Sequence, residues 1–131
     1  MCTVTFEQFA IVRVPFSFTD REATKNRPAL VLSDPDAFNI PAAHSVMAII
    51  TSAANPPWPL DCRIEDLKAT GLPAPSKVRF KLFTLDHRLV CGQLGRLSPD
   101  DEVRGRQGLA KLLGLPAEGH LSPRSRGKGG R

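Results

Sequence analysis

Arg27, Thr51 and Ser52 are the side chains whose type and position most readily suggest chemistry. Arg27 opens one apolar run, RPALVLS at 27–33, and Thr51 with Ser52 closes another, VMAIITS at 46–52. A guanidinium grips phosphate oxygens through two parallel hydrogen bonds and stays charged at any workable pH. A hydroxyl at a strand end donates to a remaining phosphate oxygen. Together they would form an electrostatic clamp for the pentacovalent phosphorane of phosphodiester cleavage. The plainer alternative is an arginine at a strand edge that only faces water. Arg21 and Lys25 lie just before Arg27, and in SKVRFKLF at 76–83 Arg79 and Lys81 alternate with Val78, Phe80 and Leu82. That alternation predicts a strand with a dry side and a positive side. These four cations are candidate contacts to a polyanion, with an ordinary solvated sheet face as the alternative for Arg79 and Lys81.

Other chemistries lack their residues. The sequence has no GxGxxG, no phosphate-binding GxxxxGK[ST] loop, no HExxH and no GxSxG. Cys2, Cys62 and Cys91 are odd in number, far apart and never in a CxxC pair. This argues against a zinc site and for a reducing cytoplasm, with no metal or cofactor implied. Cys62 and Cys91 fall in apolar strand patterns and read as core thiols, and His44 and His87 as surface histidines. Trp58, the single tryptophan, sits in the loop NPPWPL. It stacks a base, packs at a dimer interface or covers the core. Stacking ranks last, because a chain without tyrosine lacks the aromatic rows of dedicated single-strand binders.

The elements that must position these groups are short. FAIVRVPF at 9–16 is a first strand ending near Pro15, and residues 17–26 form a polar loop. RPALVLS is a second strand, broken by Asp34, Pro35 and Asp36, and VMAIITS a third. LDCRI at 60–64 is a short strand, EDLKATG at 65–71 a turn of helix stopped by Gly71, SKVRFKLF a long strand and RLVCGQLGRL at 88–97 a last one. Ser98, Pro99 and Asp101 open a helix by a capping hydroxyl, a first-turn proline and an acid at the positive end. Its expected apolar face is Val103, Leu109, Ala110, Leu112 and Leu113, interrupted by Gly105 and Gly108. Five or more short strands with one closing helix predict a mainly β fold, a small, strongly bent barrel with helical covers.

At 131 residues the chain has room for one core, and 41% hydrophobic with 24% charged residues is globular composition. No apolar run approaches the roughly 20 residues that span a bilayer, and the N-terminus shows no basic start followed by an apolar stretch. The expectation is a soluble, unsecreted protein. Net charge is +5, and the last sixteen residues hold four basic side chains against one acid. We therefore divide the chain into a body, 1–115, and a basic, disordered tail, 116–131. A polyanionic partner fits that charge, although solvated surface charge is its commoner cause.

VPFSFTDREATKNRPALVLS at 14–33 resembles the signature of the PemK/MazF family of toxins from bacterial type II toxin–antitoxin systems. The similarity continues through VMAIITS, LKATGLPAPSKVRFKLFTLD at 67–86 and GQLGRLSPDD at 92–101, in the family's order and spacing. The resemblance implies an SH3-like barrel of CcdB/MazF type, a homodimer, and sequence-specific, metal-independent cleavage of single-stranded RNA such as mRNA. On it, Arg27 matches the catalytic arginine and Thr51 the catalytic Thr or Ser, with Ser52 a helper. The loop Thr19–Asn26 matches the segment that shapes the RNA groove and that an antitoxin displaces. A ribonuclease of this kind uses the neighbouring 2′-hydroxyl, yielding a 2′,3′-cyclic phosphate and a 5′-hydroxyl. The family usually has Gly-Asp before the first strand, where this chain has Phe9 and Ala10. The same barrel also serves non-catalytic toxins that bind a protein target such as DNA gyrase, and an inactive nucleic-acid-binding barrel is a third alternative.

Overall fold

The computed structural model describes residues 5–16 and 25–116, with the backbone alone at Phe16 and Lys25. Six strands run in the order β1 (Ala10–Phe16), β2 (Lys25–Val31), β3 (His44–Ser52), β4 (Cys62–Arg63), β5 (Ser76–Asp86) and β6 (Gly92–Arg96). They form one sheet of order β4-β5-β3-β2-β1-β6, and every pairing is antiparallel. A π-helical turn at Pro35–Asn39 leads into α1 (Ile40–Ala42), α2 (Leu67–Thr70) follows β4, and α3 (Pro99–Leu113) ends the described chain. The helical turn at 35–42 was not expected from the sequence. Asp34 caps it by accepting the Ala37 N–H at 2.9 Å, so the Asp-Pro-Asp signal starts a helix here instead of a bare turn.

Strand alternation sorts the core into two faces. Ile11, Leu30, Ala48, Ile50, Val78 and Phe80 form the face beneath α3, while Val12, Val14, Ala29, Val31 and Met47 form the opposite one. Two outer strands, β4 and β6, close toward each other through α2 and not through a ladder. A Cβ at Gly71 would lie 2.2 Å from the Leu94 carbonyl oxygen, and one at Gly95 would lie 2.5 Å from that of Ala69. Backbone meets backbone there, and only glycine permits it. Asp101 of α3 secures the same corner. Buried at 1% exposure, it accepts the backbone N–H groups of Glu65 and Asp66 at 3.0–3.2 Å and pairs with Arg104.

Several expectations are corrected. Helix α3 turns Asp101, Gly105 and Gly108 toward the sheet, whereas Val103 is 55% and Leu113 54% exposed. The glycines let the helix backbone approach Phe9 and Phe80, and of the expected apolar face Leu109 packs against that core. Leu82 is exposed although it alternates with buried neighbours, since the core on its side ends at Phe80 and β5 carries a bulge at Phe80–Lys81. His87 is buried, 2.7 Å from the Ser45 hydroxyl and edge-on to Phe6. Cys91 is exposed and so is not a core thiol, whereas Cys62 is half-buried and packs against the core as expected. Phe9, standing where the family usually has glycine, takes φ +69°. That left-handed backbone costs a non-glycine residue about 1–2 kcal/mol, here offset by a ring that is 1% exposed in the core.

Candidate active site

Register determines which groups meet. Arg27 pairs with Val14, and β2 pairs with β3 at Ala29 opposite Ile49, Leu30 opposite Ala48 and Val31 opposite Met47. The β2–β3 ladder ends at Ala29–Ile49; extended two residues past that end, its antiparallel register would set Arg27 on the side of Thr51. Thr51 in turn lies opposite Lys77, and Lys77 opposite Arg63. Opposed residues share a face, so Thr51, Lys77 and Arg63 form one row across the sheet, with Arg27 on the same face. They lie on the face of Val14 and Ala29, away from α3 and at the end of that apolar cluster. Arg27 and Arg63 are exposed, and Thr51 is half-buried.

The loop from Ala53 to Asp61 is fastened over this row. Asn55 donates its side-chain amide to the Thr51 hydroxyl, so that the hydroxyl's own proton is directed to a different acceptor. The Asn55 carbonyl accepts from Lys77 Nζ at 2.8 Å. Asp61 ties the far end. Its carboxylate takes Lys77 Nζ at 3.0 Å and two bonds from Arg79 at 3.0 and 3.2 Å, and it caps the Trp58 N–H at 3.0 Å. Burial by itself raises the Asp61 carboxyl. The bonds from Arg79, Lys77 and the Trp58 N–H outweigh it and hold the group below its usual range. Arg79 also donates to the Pro56 carbonyl at 2.7 Å.

Each predicted residue can now be placed. Arg27 and Thr51 share the face. Ser52, the next residue of β3, points by alternation to the other face, and its Oγ accepts the Ala54 N–H at 3.1 Å, bracing the turn out of the strand. The Arg79 guanidinium is engaged by Asp61 and Pro56, and Lys81 lies with its ammonium 4.4 Å from the Trp58 ring centre. Trp58 is 43% exposed and covers no core. Arg21, the Lys25 side chain and the tail beyond Pro116 lie outside the described residues. Sequence reasoning missed Asn55, Asp61, Lys77 and Arg63. Lys77 does show the odd-numbered alternation of Arg79 and Lys81. Asn55 and Asp61 carry only the Asn-Pro and Leu-Asp signals of a loop. Among the described residues, no three His, Cys, Asp or Glu side chains gather as a metal site. No helix there is long and apolar enough to cross a membrane.

Residues 7–113 match the model of the PemK-like, MazF-like toxins of type II toxin–antitoxin systems. No curated protein matches the chain. Among solved structures, a mycobacterial endoribonuclease in complex with its cognate antitoxin is similar at TM-score 0.67 and 20% identity, covering 86% of this chain and 96% of that one. MazF in a MazE–MazF complex from Deinococcus radiodurans is similar at TM-score 0.65 and 23% identity over 86% and 99%. The MazF-mt6 toxin of Mycobacterium tuberculosis gives 0.64 and 19% over 82% and 98%. At such identities the likeness establishes the fold, a curled antiparallel half-barrel with a C-terminal helix.

Proposed function

We propose that this chain, which belongs to the PemK-like, MazF-like toxin family of type II toxin–antitoxin systems, is a cytoplasmic endoribonuclease that cuts single-stranded RNA. The observation that carries this is the shared sheet face on which an exposed arginine of β2 and a β3 hydroxyl held by Asn55 both fall. Arg27 binds the scissile phosphate and stabilises the charge that grows on its non-bridging oxygens. Thr51 donates its hydroxyl proton to one of those oxygens, and Ser52 supports Thr51 by bracing the strand end. The substrate's 2′-oxygen forms a bond to phosphorus as the bond to the 5′-oxygen breaks. One proton leaves the 2′-hydroxyl and one joins the 5′-oxygen, so the products are a 2′,3′-cyclic phosphate and a 5′-hydroxyl, with no water consumed. None of these steps calls for a metal or cofactor.

Arg21, Lys25, Arg79 and Lys81 serve as the basic surround of the RNA, Arg79 sharing the single Asp61 charge with Lys77 so that the trio stays net positive, and Lys81 standing outside the ion pairs of Asp61. The protein acts as a homodimer. It is silenced by a cognate antitoxin whose acidic, flexible segment lies over the same face. Incubation with a long RNA in EDTA tests the reading. Discrete fragments with cyclic phosphate ends support it, and their loss in folded Arg27→Ala protein assigns the arginine. Intact RNA with arrested DNA gyrase would replace it by the protein-target alternative, and salt-sensitive RNA binding without cleavage by the inactive barrel.

A further inference from the structure

Trp58 is displayed by a segment built to hold its shape. Pro56, Pro57 and Pro59 restrict the backbone on both sides of it. Asp61 grips it twice, its carboxylate accepting the Trp58 N–H and its own N–H donating to the Trp58 carbonyl, both at 3.0 Å. Leu60 between them takes φ +66°. Arg79 and Lys81 lie 5.6 and 4.4 Å from the indole centre. A large aromatic is thus ordered at the surface, 43% exposed, where nothing in the core requires it. Lys77, opposite Thr51, is followed on the same face of β5 by Arg79 and, past the bulge, by Lys81, whose ammonium meets the same indole. The indole therefore lies along the strand from the phosphate clamp, roughly 7–14 Å away at about 3.4 Å per residue.

We propose that Trp58 is a base-stacking residue of the RNA groove: a nucleobase flanking the cleaved bond lies on its exposed indole surface, and Lys81 holds the adjoining phosphate. This rests on the ribonuclease reading above and adds a residue to it. Every base presents a π-face, so the contact grips single strands without pairing, and the neighbouring cations strengthen it. Asp61 is the carboxylate at this spot, and its charge is taken up by Lys77 and Arg79. The surface thus offers aromatic area and positive charge to an aromatic polyanion.

Trp58 is the only tryptophan, so its fluorescence reports the contact directly. The full chain is titrated with an end-labelled 2′-O-methyl oligoribonucleotide, which binds without being cut, while label anisotropy and tryptophan emission are read together. Quenching that follows the anisotropy curve is expected. For cleavable RNA, Trp58→Ala should raise KM roughly 5- to 100-fold with kcat little changed, and Trp58→Phe should restore most of the affinity. Rising anisotropy with unaltered emission, together with unaltered KM in Trp58→Ala, overturns the proposal while leaving the ribonuclease reading intact. So does quenching by an acidic peptide and not by the oligonucleotide, which would make Trp58 a protein contact. Flat anisotropy overturns both.

Discussion

Two glycines in one helix should respond to the same substitution with opposite sign. A methyl group at Gly105 would sit 3.6 Å from Leu97 and 3.8 Å from Phe9, ordinary contact distances. Gly105→Ala therefore gains the helix propensity of alanine over glycine, about 1 kcal/mol, with a few tenths more from burying the methyl. At Gly108 the methyl would come within 2.8 and 3.0 Å of the Phe80 ring edge. Phe80 is 7% exposed among Ile11, Leu30 and Ile50, so its ring has little room to retreat. Overpacking of that kind costs about 1–3 kcal/mol, which cancels or exceeds the same propensity gain. The propensity gain is common to both, so the two variants should differ by roughly 1–3 kcal/mol, or about 4–12 °C in Tm for a domain of this size. Thermal and urea unfolding followed by circular dichroism measures both. Phe80→Leu provides the control: by making room, it should reduce the Gly108→Ala penalty in a double-mutant cycle while leaving the Gly105→Ala gain unchanged. Equal stability of the two alanine variants, or no coupling to Phe80, would refute the docking of α3 through its glycines.

Arg27→Lys keeps a charge but loses the fork, and should lower the cleavage rate about 100-fold on long RNA, far more than it weakens binding of an uncleavable analogue. Asn55→Ala removes the donor that orients the Thr51 hydroxyl; losing about 1 kcal/mol at that bond predicts a kcat roughly 5-fold lower with KM little changed, read by initial rates on a short substrate. Asp61→Asn should destabilise the fold at neutral pH. The native carboxyl titrates below its usual range, so it stabilises the protein above the unfolded value of about 4, and that contribution is lost as pH falls through the lower folded value. Melting curves of wild type and Asp61→Asn should accordingly converge on acidification below pH 4, and a gap that persists there would remove the ion triad as its cause.

Strands were legible because each carries its own signal. The runs at 9–16, 27–33 and 46–52 are apolar enough to be strands in any arrangement, and the structure moves their ends by at most two residues. The cap of α3 was equally local, Ser98 accepting the Asp101 N–H at 3.2 Å. What α3 presents to the sheet was not local. An apolar count points to Val103 and Leu113 as much as to Leu109, but the sheet beneath already supplies Phe9 and Phe80, and beside Leu109 the helix meets them at Gly105 and Gly108. Composition records what a segment can bury and not how much room its neighbours leave. The same holds for His87, whose place beneath Phe6 depends on a segment eighty residues away.

The site divides along the same line. Arg27 and Thr51 could be named because each sits at the end of a recognisable strand within a family signature, and the antiparallel register of β2 and β3 puts both on one face. Their supporting groups come from a loop and from a strand whose cations looked like a uniform positive face. Asp61 differentiates them: it takes up Lys77 and Arg79 and leaves Lys81 beside the indole. A half-buried carboxylate between two cations adds little net stability compared with an apolar substitute, so its role is better sought in geometry. By gripping Trp58 directly and the Asn55 carbonyl through Lys77, it fixes Asn55 against Thr51 and Trp58 against Lys81. Stacking surface and phosphate clamp then become a single rigid unit, and loosening Asp61 should cost RNA affinity and catalytic rate together, whereas changing Asn55 or Trp58 alone should cost only one of the two.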